Sequence, residues 1–124
     1  MFCEEGHSME LREMGKTGVK VSPLGFGVMR LPLKNGGKTA NDTTIDNVDV
    51  DTSIAMIRHA IDEWVNYFDT AYNYVAGSSE VILGQALKDG YREKVYVASK
   101  SPAWLYKAPE DFDRYLNEQL ERLD

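Results

Sequence analysis

Three short apolar runs, each followed by a helix-length segment, constrain this chain more than anything else in it. Residues 23–29, 66–71 and 94–100 read as strands. Ile54, Ile57, Ile61 and Trp64 recur at spacings of three and four, which predicts a helix over about 52–63 with one buried face. Asp51 or Thr52 can cap it. A second helix is expected over about 79–89, with Ser78 as its cap and Gly90 as its stop. Pro109 opens a third, whose apolar stripe is Phe112, Leu116, Leu120 and Leu123. Strands joined by crossover helices run parallel. Two architectures use this order, the open doubly wound sheet and the closed (β/α)₈ barrel. Gly25-Phe26-Gly27 leads into a strand end and a long loop, not into a helix, so it makes a weak dinucleotide fingerprint. In a barrel, reactive groups gather at the C-terminal ends of the strands. Asp69 and Lys100 stand at such ends.

Ahead of this pattern, Leu11-Arg12-Glu13-Met14 and Val19-Lys20-Val21 flank the turn signal Gly15-Lys16-Thr17-Gly18, which predicts a β-hairpin. Residues 31–50 are rich in Asn, Asp, Gly and Thr and read as a long surface loop. Residues 1–8 have no period and read as an irregular extension, with the fold expected over 9–124. They carry neither a basic stretch nor an apolar core, so they do not resemble a signal peptide.

The 124 residues suit one domain, and 43% hydrophobic residues is ordinary for a globular protein. A net charge of -6 argues against a nucleic-acid partner and gives no attraction to anionic membranes. No apolar run approaches the roughly 18 residues of a membrane span. The single cysteine, Cys3, excludes an internal disulfide and a cysteine-based zinc site. It fits a reducing compartment, and a cytoplasmic location is expected. His7 and Cys3 lack further ligands nearby, so no metal is expected. His59 falls on the polar side of its helix and reads as solvated.

Neighbouring parallel strands lie about 4.8 Å apart, so Asp69 and Lys100 can form an ion pair at one rim. Tyr74 follows Asp69 by five residues and can fold back over that pair. A phenol has a pKa near 10, and an adjacent ammonium favours its phenolate. Such a phenol is a better general acid near neutral pH. The plain alternative is a rim salt bridge with a packing tyrosine. Tyr72 is a competing phenol. Trp104 follows the third strand at the same rim, where it either lines a substrate pocket or covers the barrel edge.

At these residues the chain resembles the aldo-keto reductase family. Gly15 to Ser22 looks like the hairpin that plugs the bottom of that barrel, and Leu24-Gly25-Phe26-Gly27-Val28-Met29-Arg30-Leu31-Pro32 like its first strand. Phe68-Asp69-Thr70-Ala71, Tyr74, Ser79-Glu80 and Gly84-Gln85-Ala86-Leu87 resemble its second β-α unit. Val97-Ala98-Ser99-Lys100 resembles its third strand. The resemblance implies the N-terminal part of a (β/α)₈ barrel that reduces aldehydes or ketones with NADPH. It gives Tyr74 the role of proton donor, Lys100 that of its modulator and Asp69 that of the lysine's orienter. It sets Gly27, Val28, Met29 and Asp69 near the nicotinamide. The family's catalytic His, and the loops that hold the cofactor's phosphate and adenine, would fall beyond Asp124. A full barrel needs roughly 250 residues. The chain alone is therefore expected to be inactive and to self-associate through open strands. The alternative function is non-enzymatic, a partial barrel that assembles with a second chain. Trp64 stands where the family usually has a helix-ending glycine, so either that helix ends differently or the strain is tolerated.

Overall fold

The computed structural model describes residues 9–34 and 46–124. The extension over residues 1–8, with Cys3 and His7, lies outside the described residues, as does the middle of the polar loop. The hairpin forms as expected: β1 (Arg12–Glu13) pairs antiparallel with β2 (Lys20–Val21). Gly15 and Gly18 take φ of 59° and 76° in its turn, a conformation that glycine adopts at little cost. Three parallel strands follow, β3 (Phe26–Gly27), β4 (Tyr67–Asp69) and β5 (Tyr96–Ala98), in the order β3-β4-β5. They are shorter than their apolar runs. The crossovers are α1 (Val50–Asp62) and α2 (Ser79–Ala86), and α3 (Glu110–Leu123) follows β5. This is the α/β arrangement of a partial (β/α)₈ barrel.

Register decides which side chains meet the helices. Phe26 aligns with Phe68, and Phe68 with Val97. These three turn towards the core, where Phe68 is fully buried and its ring stacks 5.4 Å from that of Phe26. Ile57 and Ile61 of α1 and Ile82 and Leu83 of α2 complete the cluster. Burying each such side chain stabilises the fold by about 1.5–3 kcal/mol. The next residues along, Gly27, Asp69 and Ala98, are aligned on the opposite face of the sheet.

Several local expectations are corrected. Asp49, not Asp51 or Thr52, caps α1: its carboxylate accepts the Thr52 N–H at 3.0 Å and the Thr52 hydroxyl at 2.8 Å. The helix starts within the polar stretch read as loop, and Leu33 bridges antiparallel to Val48 just before it. The Ser78 hydroxyl makes no cap bond to α2 and instead donates to the Val75 carbonyl at 2.7 Å. α2 ends at Ala86, ahead of Asp89 and Gly90, both at positive φ. Of the stripe of α3 only Leu123 packs against the core, since Phe112, Leu116 and Leu120 are exposed and Asp111 and Gln119 are buried. Trp64 is 56% exposed.

Trp64 takes φ of 74° at the end of α1. Its N–H bonds to the Ile61 carbonyl at 3.0 Å, and the Val65 N–H bonds to the Ala60 carbonyl at 2.9 Å. This pair of bonds is the usual glycine-ended termination, built here around a tryptophan. The helix therefore ends in the geometry expected of a glycine and carries the strain. At α2, a Cβ added to Gly84 would lie 2.3 Å from the Arg122 carbonyl oxygen of α3. Only glycine lets the two helices come this close.

Two stability changes follow. Trp64→Gly is expected to raise stability by about 0.5–1 kcal/mol, the relieved strain less the added freedom of the unfolded chain. Gly84→Ala is expected to lower it by about 1–3 kcal/mol through overpacking. Urea melts of the two variants measure both. A neutral Gly84→Ala would mean that α3 is not held against α2.

Candidate active site

Asp69 ends β4, and Lys100 lies two residues past the end of β5. Backbone pairing continues beyond the strands, with the Thr70 N–H on the Ala98 carbonyl at 2.8 Å and the Tyr72 N–H on the Lys100 carbonyl at 3.2 Å. That continuation carries Lys100 to the same rim as Asp69. Lys100 Nζ donates to Asp69 Oδ1 at 2.6 Å and to the Thr70 carbonyl at 2.8 Å. The same nitrogen lies 4.7 Å from the centre of the Tyr74 ring. Three groups from the end of β4 and the loop after it thus share one cation.

The loop that carries Tyr74 is tightly held. Tyr74 begins a 3₁₀ turn over Tyr74–Gly77, and Val75 and Ala76 take φ of 52° and 51°. Left-handed non-glycine residues cost energy and persist where the surroundings fix them. Here Val75 is buried in the core. The anchored Val75 keeps Tyr74 at the rim.

Tyr72, the competing phenol, goes elsewhere. Its hydroxyl donates to Glu118 Oε1 at 3.0 Å, and Arg122 stacks 4.1 Å from its ring centre. Burial and the Glu118 contact push the Tyr72 phenol up, so it holds its proton more firmly. For Lys100, burial works against the charge, and the contacts to Asp69 and then Tyr74 outweigh it, so this ammonium is held above its ordinary range. Asp69 is 43% and Lys100 49% exposed. An ion pair this accessible contributes at most about 1 kcal/mol to stability. Its consequence is geometric more than energetic.

Gly27 adjoins Asp69 in the sheet, and a Cβ on it would meet no atom within 4 Å. Met29 is 51% exposed. The surface above Gly27 is therefore open. Val28 lies beneath that surface, fully buried, with its N–H on the Asp69 carbonyl and its carbonyl accepting from Ser79 Oγ. Trp104 is 64% exposed in the turn Ala103–Leu105. Among the described residues, no cluster of three or more His, Cys, Asp or Glu could hold a metal. Thr70, Glu80, Gln119 and Arg122, which touch this rim or its supports, carried no role in the sequence reading. Only Thr70 and Glu80 had a signal there, as parts of Phe68-Asp69-Thr70-Ala71 and Ser79-Glu80.

The sequence profile of the Aldo/keto reductase family matches residues 23–124. The chain belongs to the aldo/keto reductase family. It is 34% identical over 88 residues to a probable aldo-keto reductase 1 of Glycine max, covering 71% of this chain and 23% of that protein. It is 36% identical over 94 residues to aldo-keto reductase YhdN of Bacillus subtilis, covering 75% of this chain and 26% of that protein. A crystal structure of a thermostable aldo-keto reductase with the inhibitor epalrestat superposes with a TM-score of 0.71 at 32% identity, covering 94% of this chain and 39% of that one. An aldo-keto reductase from Klebsiella pneumoniae, crystallised with NADPH, gives a TM-score of 0.63 at 27% identity, covering 84% and 32%. The chain thus spans about a quarter of the length of these curated relatives. Among the described residues, no helix is long and apolar enough to cross a membrane.

Replacing Asp69 tests the electrostatics. Asp69→Asn removes the strongest contact that raises Lys100 and leaves its burial, so the lysine is expected to titrate lower. The sign for stability follows. A lysine raised in the folded state stabilises below its unfolded value, and this is lost as pH rises through the folded one. Carbon-13 NMR of the lysine side chains measures the shift. A Lys100 titration identical in Asp69→Asn would show that the carboxylate does not hold the ammonium.

Proposed function

We propose that this chain is the N-terminal part of an NADPH-dependent aldo-keto reductase that reduces aldehydes or ketones to alcohols, working in the cytoplasm. The reading rests on one observation above the others, the Lys100 ammonium held between the Asp69 carboxylate and the Tyr74 ring. Family membership supports the reaction class.

Bound NADPH would supply the hydride. Gly27, Met29 and Asp69 would border its nicotinamide, with Val28 supporting them from below. Tyr74 would donate its phenolic proton to the substrate oxygen as negative charge develops there. Lys100 would stabilise the phenolate left behind, and Asp69 would fix Lys100 in reach. Trp104 would line the carbonyl pocket. Tyr72 takes no part, because Glu118 holds its hydroxyl.

The chain by itself is expected to bind NADPH weakly and to turn over no substrate, since hydride transfer needs a cofactor fixed beside the carbonyl. It is also expected to self-associate. β3 and β5 are the outer strands of the sheet, and α3 shows Phe112, Leu116 and Leu120 to solvent.

Fluorescence titration with NADPH, turnover of nitrobenzaldehyde and size-exclusion chromatography examine the isolated chain. Saturable micromolar binding with steady turnover by a monomer would overturn this expectation. In a barrel completed with the C-terminal portion of the Bacillus subtilis relative, Tyr74→Phe is expected to lower kcat by about 10²–10⁴-fold. Tyr72→Phe should keep most of it. The reverse pattern would move the acid to Tyr72.

A further inference from the structure

The groups of the candidate site come from three strand ends, and the first turn of α2 reaches all three. Ser79 and Glu80 open that helix, and both are fully buried. Ser79 Oγ donates to the Val28 carbonyl after β3 at 2.8 Å. It also lies 2.7 Å from the hydroxyl of Thr70, which follows β4. Glu80 serves β5. Its Oε1 accepts from Ser99 Oγ and from Gln119 Nε2, both at 2.6 Å, and its Oε2 accepts from Arg122 Nη1 at 3.2 Å.

The decisive contact is one step further on. Gln119 Nε2 also donates to the Lys100 carbonyl at 3.0 Å. That oxygen already accepts the Tyr72 N–H, so it is fixed from two sides. Arg122 Nη1 donates to the Tyr72 carbonyl at 3.2 Å. A buried carboxylate is tolerated only when it is well partnered. Glu80 meets that condition, and two of its three partners, Ser99 and Gln119, bear on the backbone that carries Lys100, while the third, Arg122, holds that of Tyr72 beside it. Gly84 lets α2 and α3 approach closely enough to bury this arrangement.

We propose that Glu80 and Gln119 are positioning residues that set where Lys100 sits against Asp69 and Tyr74. Glu80 fixes the orientation of Gln119 and Ser99, and these two fix the chain on either side of the Lys100 α-carbon. A small error in that backbone would be magnified along the four-carbon lysine stem. The inference deepens the reductase reading, and its catalytic part rests on that reading. Its structural part concerns Lys100 alone and can be tested without cofactor or substrate.

The test uses the intact chain in three variants, Gln119→Met, Ser99→Ala and Ile57→Val. Lysine carbon-13 NMR reads the Lys100 titration, and urea melts read stability. Gln119→Met and Ser99→Ala are expected to move the Lys100 titration down, towards an ordinary lysine. Ile57→Val thins the core without touching the network, so it should lower the urea midpoint and leave Lys100 unmoved. If Gln119→Met does not fold, Ser99→Ala decides the matter, since it removes only one hydroxyl at an exposed strand end. An unmoved Lys100 in the network variants would overturn the inference. So would an equal shift in Ile57→Val, which would indicate general loosening. In the completed barrel, Gln119→Met should lower kcat by up to about 100-fold, with KM within about twofold. An effect on KM alone would also overturn it. Absence of turnover in the unmutated barrel would sink the reductase reading and leave the NMR result to stand.

Discussion

Everything at the rim depends on the pairing register of three parallel strands. Gly27, Asp69 and Ala98 lie side by side because Phe26, Phe68 and Val97 do so one residue earlier. The apolar set is buried against the helices, and this fixes the polar set on the other face. A slip of one residue would turn Phe68 out of the core and Asp69 into it. Hydrophobic burial thus sets the position of the carboxylate, although the carboxylate contributes little to stability itself. The same pairing, continued past the strands, brings Lys100 within 2.6 Å of Asp69.

The parts of the fold legible in the sequence are those that periodicity and turn chemistry encode. The hairpin showed in its glycines, the strand–helix alternation in its apolar runs, and the rim in the residues that close each strand. Other features were hidden for identifiable reasons. The α1 cap was missed because Asp49 lies in a polar stretch with several equivalent acids and amides nearby. For α3, spacing told which residues share a face and nothing of what that face meets. Phe112, Leu116 and Leu120 do share one, and it looks outward.

The network around Glu80 was the least legible part. Glu80, Gln119 and Arg122 are polar residues on helices, and such residues usually face water. The burial of Glu80 and Gln119 follows from the close approach of α2 and α3, which depends on Gly84. A contact between residues about forty positions apart leaves no local trace. Spacing left the two phenols equivalent, and the three-dimensional surroundings separate Tyr72, bonded to Glu118, from Tyr74, beside Lys100.

The strained tryptophan at the end of α1 has a further use. Trp64 stands just before β4, and the chain's second tryptophan, Trp104, stands just after β5. Because the strands are parallel, these two indoles mark opposite ends of the sheet. Both are largely exposed, so their emission responds to solvent and to anything that covers them. With either one replaced, the fluorescence of the other reports on a single end. The chain thus carries its own pair of optical probes, able to distinguish fraying at the foot of the sheet from rearrangement at the rim that holds Asp69 and Lys100.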